Sequence, residues 1–285
     1  MQRLIRFLLE SNIFISLCAL FVTVETQVQL GLQPQWHPYL FLIFFATFFE
    51  YNFHRLVTVL RHNEAMEVGK HEWVGRNKRL FFLLVILSAI GFATALCFAK
   101  PIVLLALIPI ALLTLFYSFP LTKKYLTIFR LREIPYLKIF MIALVWGAAT
   151  VIIPIIQTEH RFASEQVVAI FFERVLFVLA ITIPFDIRDM EHDKRVGLKT
   201  IPHVLGEQRA IILANIILLG SFCISVIRCM AINDWAVLFA YSCSIAITFV
   251  VLNHKGIKQS KFYHYGYLDG TLILQAICIV GINFL

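Results

Sequence analysis

Long runs of apolar residues, separated by short polar stretches, dominate this chain of 285 residues. A run of about 18 or more apolar residues is long enough to cross the hydrocarbon core of a bilayer as a helix. The pattern predicts an all-α, polytopic integral membrane helical bundle that forms one domain over residues 1–285. The nine predicted transmembrane helices lie near residues 12–31, 37–60, 80–98, 101–119, 135–156, 164–186, 208–229, 233–252 and 266–284.

The composition agrees with this pattern. Hydrophobic residues make up 60% of the chain and charged residues 15%, and the mean hydropathy is +0.83. A soluble domain is usually about 45–50% apolar and about 25% charged. The excess of apolar surface must therefore face lipid, which excludes an ordinary soluble globular protein.

The basic residues give the helices a direction. If the N-terminus and every second connection are assigned to one side, that side holds 21 of the 25 Lys and Arg residues. Because cytoplasmic loops are rich in Lys and Arg, we expect a multi-pass protein of the cell (inner) membrane, with the N-terminus in the cytoplasm and the C-terminus outside. The same asymmetry explains the net charge of +8. We therefore expect membrane lipids around the chain and no nucleic acid as a partner.

Three aspartates mark the end of the sixth predicted helix. Asp186, Asp189 and Asp193 stand at positions i, i+3 and i+7, so on a continuing helix they fall within about 60° of one another. Carboxylate oxygens are the ligands that Mg²⁺ prefers, and the neighbouring Arg188 and Lys199 suit phosphate groups. A solvated, charge-balanced loop is the alternative interpretation of such a run.

Two segments carry a resemblance to a known family. The stretch DIRDMEHDKRVGLKTIPHVLG, residues 186–206, resembles the second aspartate-rich motif of the UbiA superfamily of intramembrane prenyltransferases, and the menaquinone-type branch is the nearest. The stretch YSFPLTKK, residues 117–124, resembles the tyrosine–proline–lysine segment that follows the fourth helix in that family. The expected count of nine helices also agrees with the family.

The resemblance implies a prenyltransferase that moves an isoprenyl group from a prenyl diphosphate to an aromatic or other lipophilic acceptor, as in quinone biosynthesis. It implies Mg²⁺ as the cofactor, with Asp186, Asp189 and Asp193 as both metal ligands and catalytic residues. The substrate-binding residues expected on this basis are Arg188, Lys199, Lys123, Tyr117, Asn52, His54 and Arg55.

The first aspartate-rich motif of the family has no counterpart in this chain. The stretch 48–57, at the end of the second predicted helix, contains no aspartate, and no Asp precedes Asp186 anywhere in the sequence. In one interpretation, Glu50, Asn52 and His54 replace the missing ligands while Arg55 binds phosphate directly. In the other, the chain is a non-catalytic UbiA-like protein that binds lipid or assists assembly.

A secondary transporter is a third interpretation. Transporters of this kind carry paired Gly or Pro breaks in two repeated halves. Pro109, Pro154 and Pro184 are scattered rather than paired, so the sequence favours this class least.

Other polar residues inside the predicted helices have simpler explanations. Glu173 and Arg174 lie in the middle of the sixth helix, where a structural ion pair between helices is the expected role. Two further candidates for lining the same cavity as the aspartates are Lys138 and the group Tyr263, His264, Tyr265 and Tyr267 just before Asp269. A snorkelling lysine and an interfacial aromatic belt are the default interpretations for these two.

Overall fold

The computed structural model describes residues 2–61, 77–118, 134, 136–158, 161–195 and 197–282. Within these ranges, the side chains of residues 2, 57–61, 116–118 and 192 are not described. All regular structure in the described ranges is helical, which confirms the all-α prediction. The elements are α1 (Gln2–Glu10), α2 (Ile13–Gln29), α3 (Pro38–Arg61), α4 (Lys78–Cys97), α5 (Pro101–Ser118), α6 (Leu137–Gly147), a π-helical segment (Ala148–Ile152), α7 (Ile153–Gln157), α8 (Ser164–Arg195), α9 (Ile201–Leu205), α10 (Glu207–Ile232), α11 (Trp235–Asn253), α12 (Lys255–Lys258), a second π-helical segment (Tyr263–Leu268) and α13 (Asp269–Gly281).

Each predicted span coincides with a helical segment of the bundle. In the described part of the chain, five helical segments are long and apolar enough to cross a membrane: α4, α6 continued through α7, α8, α10 and α11. A sixth is added if α1 and α2, which meet at an angle of 71°, are counted as one broken span. The integral membrane bundle is thereby confirmed, and the count of nine spans stays a prediction.

Apolar side chains cover the outer faces of the bundle. Helices α4 and α5 expose Phe82, Leu83 and Leu105 by more than half of their surface, and α11 exposes Phe239 by 71%. Side chains of this size avoid water, so these faces are the surface that meets lipid.

Helix α8 is the central element, and it packs between α6 and α10. Its inner face buries Phe177, Ala180 and Ile183 completely. At 32 residues the helix is about 48 Å long, which exceeds the roughly 30 Å of a hydrocarbon core. The charged residues of α8 are concentrated at its C-terminal end, so we expect this end, which carries the three aspartates, to reach the boundary of the apolar layer. We call this side of the molecule the acidic end of the bundle.

The break between α1 and α2 lies at Ser11 and Asn12, both of which are buried. Asn12 adopts a left-handed conformation with φ 64°, which asparagine tolerates better than most residues. Arg55 of α3 holds this break: its Nη1 donates to the Glu10 carbonyl at 2.5 Å and its Nη2 to Asn12 Oδ1 at 2.6 Å. Helix α1 is thus fixed to the rest of the bundle through α3.

Candidate active site

The three aspartates of α8 surround the ammonium group of one lysine. Lys138, in the first turn of α6, places its Nζ 2.8 Å from Asp186 Oδ1, 3.4 Å from Asp193 Oδ2 and 4.0 Å from Asp189 Oδ2. Asp186 and Asp193 are buried, whereas the Asp189 side chain is 33% exposed. The helical phase predicted from the spacing is therefore present, and a cation already lies among the carboxylates. We refer to the three aspartates as the acidic stripe.

A second cation engages the outermost carboxylate. Arg188 Nε lies 2.7 Å from Asp189 Oδ1, and its Nη2 lies 2.9 Å from Asp189 Oδ2, so the pair forms a two-pronged hydrogen bond. The same guanidinium donates to the Tyr265 hydroxyl and lies 5.3 Å from the centre of the Phe185 ring. Arg188 is thus held between a carboxylate and two aromatic rings.

Tyr265 contacts two residues of α8, Phe185 and Arg188. Its ring packs edge-on against Phe185, and Arg188 stacks over it at 5.1 Å. Burial raises the pKa of the Tyr265 hydroxyl above its ordinary value, while Arg188 and Arg55 both act to lower it. Arg188 therefore contacts Tyr265 directly, whereas Arg55 of α3 acts on its hydroxyl through charge, with its described hydrogen bonds directed to Glu10 and Asn12.

The chain turns sharply after α8, and this turn explains the glycine of the Gly-x-Lys-Thr pattern at residues 197–200. Gly197 has φ 74°, the Leu198 N–H donates to the Asp193 carbonyl at 2.8 Å, and the Gly197 N–H donates to the Lys194 carbonyl at 3.1 Å. These two bonds form a Schellman motif, the usual way to end a helix at glycine. The glycine of the pattern therefore serves the fold by ending α8 just after Asp193.

Lys199 and the start of α6 are joined through the backbone. The Tyr136 N–H donates to the Lys199 carbonyl at 3.2 Å, which fixes the turn after α8 against the residues that precede Lys138. The Lys199 side chain is exposed, and none of its described contacts reaches the acidic stripe. A role for this side chain in binding phosphate stays a prediction.

The polar residues of α3 are engaged mainly by the helix break. Asn52 is fully buried, its Nδ2 donates to the Phe48 carbonyl at 2.8 Å, and its Oδ1 accepts from Asn12 at 3.1 Å. These contacts leave no described bond between Asn52 and the acidic stripe. His54 is half-buried and has partners of its own. Arg55 is the α3 residue whose charge acts on Tyr265, while its described hydrogen bonds go to the helix break, and a role in substrate binding for Asn52, His54 and Arg55 stays a prediction.

Two further expected residues cannot be placed. Lys123 lies outside the described residues. Tyr117 belongs to α5, but its side chain is not among those described. Both stay predictions for substrate binding.

Of the two interpretations of Lys138, the structure favours a cavity-lining residue over an ordinary snorkelling lysine, because its ammonium lies among the three aspartates. The position of Lys138 at the beginning of a predicted span, on the side of the membrane where the aspartates end theirs, was the available signal. Spacing along the sequence cannot show this contact, because Lys138 and Asp186 belong to different helices.

The chemistry of the acidic stripe suits a hard divalent cation such as Mg²⁺, which binds carboxylate oxygens. Asp186 Oδ1 is buried and makes no well-directed hydrogen bond, and its contact with Lys138 is an ion pair. In the present arrangement, however, no group of three or more His, Cys, Asp or Glu in the described ranges is placed to hold a metal ion. The three aspartates therefore fit such an ion by type, while their described geometry is that around a lysine.

A separate set of charges lies deeper in the bundle. Glu25 of α2 pairs with Arg174 at 2.9 Å, and Glu173 pairs with Arg228 of α10 at 3.3 Å. All four side chains are buried. The prediction of an ion pair between helices for Glu173 and Arg174 is confirmed, and each of the two residues has its own partner.

A model of the UbiA prenyltransferase family matches residues 76–262 of this chain. This match extends over well more than half of the sequence. The chain belongs to the UbiA prenyltransferase family. No curated protein matches it significantly.

Solved structures of UbiA homologues share the fold. A homologue from Archaeoglobus fulgidus bound to Cd²⁺ is 17% identical with a TM-score of 0.62, and the alignment covers 96% of this chain and 99% of that one. An apo homologue from Aeropyrum pernix K1 is 16% identical with a TM-score of 0.58 and 96% coverage of both chains. The Archaeoglobus homologue has also been solved with GPP and Mg²⁺, with 17% identity, 96% and 99% coverage and a TM-score of 0.54.

The family match covers only part of this UbiA-family chain, and its limits separate the acidic stripe from α3. The matched residues include the whole acidic stripe and Lys138. They begin after α3, the helix on which the first aspartate-rich motif was expected and not found. The chain therefore resembles the family most clearly where its carboxylates are, and membership supports a membrane prenyltransferase in general terms.

Proposed function

We propose that this chain transfers an isoprenyl group from a prenyl diphosphate to an aromatic or other lipophilic acceptor. The observation that carries this proposal is the grouping of the acidic stripe, Lys138, Arg188 and Tyr265 at one end of the central helix. Such a site combines charges for a diphosphate with aromatic walls for an apolar chain. Quinone biosynthesis, and membership of the menaquinone-type branch, belong to the same proposal.

The reaction begins when the bond between the prenyl carbon and the diphosphate oxygen breaks, and the electron pair leaves with the diphosphate. The resulting allylic cation is captured by an electron pair of the acceptor, which then loses a proton. Arg188, Arg55 and Lys138 supply positive charge where the leaving diphosphate gains negative charge. Arg188 is already held in place by Asp189 and Tyr265, so its charge is oriented before the diphosphate arrives.

The allylic cation must be protected from water until the acceptor reaches it. Phe185 and Tyr265 present aromatic rings beside Arg188, and His264 packs against Phe185 with 5.3 Å between ring centres. Aromatic faces stabilise cations and exclude water. These rings would therefore line the path between the diphosphate and the prenyl chain.

Mg²⁺ stays part of the proposal as the cofactor. Asp186, Asp189 and Asp193 are the residues that would hold it, and a bound Mg²⁺ would neutralise charge on the diphosphate. Support comes from the carboxylate chemistry of the stripe and from the homologue solved with GPP and Mg²⁺.

The leading alternative is a non-catalytic UbiA-like protein that binds a prenyl lipid or assists assembly. Two observations favour it: α3 offers no aspartate, and its Asn52 bonds to the helix break instead of to the acidic stripe. A secondary transporter has no comparable support, because family membership points to prenyl chemistry.

Purified full-length protein, incubated with radiolabelled geranyl diphosphate, Mg²⁺ and lipid extracted from host membranes, decides between the two. We expect a labelled lipophilic product and released diphosphate, and we expect Asp189→Asn and Asp193→Asn to abolish both. Glu191→Gln is the matched control, since its side chain is 86% exposed on the same helix. Product formation that survives both aspartate variants would contradict the site. Binding of geranyl diphosphate without turnover on any acceptor would support the alternative.

The orientation of the chain is also a proposal. We place the N-terminus and the acidic end of the bundle in the cytoplasm, in the cell (inner) membrane, because the basic residues concentrate on that side. Reporter fusions at the two termini, one active only in the cytoplasm and one active only outside, would test it.

A further inference from the structure

The ammonium group of Lys138 lies between the three carboxylates of the acidic stripe. Its Nζ lies within 4.0 Å of an oxygen of Asp186, Asp189 and Asp193. The Lys138 side chain is 19% exposed, so water screens these contacts only in part. The lysine is therefore a partner of the whole stripe and not of one carboxylate alone.

The backbone holds Lys138 in this position. Tyr136, two residues earlier, adopts a left-handed conformation with φ 66°, and its N–H is bonded to the Lys199 carbonyl. Helix α6 begins at Leu137, immediately after this fixed point, and packs along α8. The hydrogen bond between Tyr136 and Lys199 therefore fixes the start of α6 and, with it, the backbone position of Lys138.

Charge within the site is nearly balanced without any metal. The three carboxylates face the ammonium of Lys138 and the guanidinium of Arg188, which leaves one net negative charge in this group. A divalent ion that approached the stripe would have to displace Lys138 and would be repelled by both cations. It would gain little in return, because the carboxylates are already paired.

A diphosphate changes this balance. It adds several negative charges beside Lys138 and Arg188 and gives the ammonium an alternative anionic partner. Carboxylates released in this way become available to a divalent ion that comes with the diphosphate. The same residues therefore repel a free ion and accept one that accompanies the substrate.

We propose that Lys138 is the resident cation of the acidic stripe, and that it keeps divalent ions out of the site until a diphosphate arrives. The inference rests on the proposed function only for the diphosphate as ligand. Binding of metal is therefore ordered: the protein has little affinity for the free ion and binds it together with the diphosphate.

The test measures Mn²⁺, as a stand-in for Mg²⁺, by equilibrium dialysis against purified full-length protein without any acceptor. Wild-type protein should bind little Mn²⁺ alone and should retain it when inorganic pyrophosphate is added. Lys138→Met should bind Mn²⁺ without pyrophosphate at least about tenfold more tightly than wild type, because the stripe then lacks its cation. Lys138→Arg, which keeps the charge, should behave as wild type.

Lys255→Met is the matched control, since this exposed lysine lies on α12 and has no described contact with the stripe. Two results would overturn the inference: wild-type protein that binds free Mn²⁺ as tightly as Lys138→Met, or a Lys138→Met variant that binds no more Mn²⁺ than Lys255→Met. Neither depends on turnover. A chain that fails to transfer any prenyl group can still show the ordered binding, so failure of the proposed function is recognised separately.

Loss of Lys138 leaves Asp186 buried without its cation, and this can weaken the fold. The double variant Lys138→Met/Asp186→Asn removes both charges of the buried pair while it still frees Asp193. This variant has the net charge of wild type and lacks one carboxylate ligand, so it should bind no more free Mn²⁺ than wild type. A well-folded double variant that shows the gain in free Mn²⁺ binding predicted for Lys138→Met would also count against the inference. Thermal unfolding of each variant confirms that folded protein is compared.

Discussion

The guanidinium of Arg174 on α8 lies 2.9 Å from the carboxylate of Glu25 on α2, and the bundle encloses both side chains. Gln275 of α13 donates to the same carboxylate at 3.1 Å, and Arg174 also donates to the Val22 carbonyl at 3.2 Å. A buried charge is tolerated only when such partners surround it. This pair therefore ties three helices together far from the proposed site.

Removing one member of this pair should destabilise the protein strongly. Glu25→Gln leaves Arg174 buried without a carboxylate, and the expected loss is about 3–5 kcal/mol. The double variant Glu25→Gln/Arg174→Met should lose less than Glu25→Gln alone, because no unpaired charge remains. Unfolding in mixed micelles measures both. A single variant as stable as wild type would show that the pair contributes nothing.

Arg188 and Tyr265 should affect diphosphate binding more than folding. Arg188→Lys loses the two-pronged bond to Asp189 and the stacking on Tyr265, so the KM for a prenyl diphosphate should rise about tenfold. Tyr265→Phe keeps the ring and loses the hydroxyl that accepts from Arg188, so a smaller rise is expected. Steady-state kinetics with Arg195→Lys, an exposed arginine on the same helix, as the control would test this. Unchanged KM in both variants would remove these residues from the binding site.

Gly197 should be required for its backbone conformation alone. A Cβ at this position meets nothing within 4 Å, so the cost of Gly197→Ala comes from φ 74° and should be about 1 kcal/mol. Gly220→Ala is the matched control: it lies inside α10, where the new Cβ meets Leu176 at an ordinary 3.6 Å. That change should be neutral or slightly stabilising. Equal effects of the two substitutions would contradict the helix-ending role of Gly197.

Arg55 should hold α1 to the bundle. Arg55→Met removes both bonds to the helix break at Glu10 and Asn12, so backbone amides of α1 should exchange hydrogen faster. Arg195→Met, at a side chain that is 80% exposed, is the control and should leave α1 unchanged. Hydrogen exchange followed by mass spectrometry resolves this segment. If the α1 amides stay protected in Arg55→Met, contacts other than those of Arg55 hold α1 to the bundle.

The sequence was sufficient for the positions of the apolar helices, because a run of apolar residues has few alternatives to crossing a bilayer. The helical phase of Asp186, Asp189 and Asp193 could also be predicted, since it depends only on spacing within one helix. Even the polar stretch around Glu50 and Asn52 proved to be part of one continuous helix, α3.

Contacts between helices could not be predicted in the same way. The meeting of Lys138 with the acidic stripe depends on how α6 packs against α8 and on the turn at Tyr136, and neither leaves a periodic pattern. The role of Asn52 and Arg55 at the helix break depends likewise on the left-handed conformation of Asn12. The two π-helical segments are local departures from helical hydrogen bonding, and hydropathy does not register them.

The length of α8 has a consequence for how a prenyl diphosphate would reach the proposed site. Such a molecule is itself an amphiphile, with an oily tail and a highly charged head. With the aspartates at the end of α8 that is expected to reach the boundary of the apolar layer, the head can remain at the water boundary while the tail stays among the lipid chains. The substrate would then enter and the product would leave by lateral diffusion within one leaflet, and neither would have to pass through water.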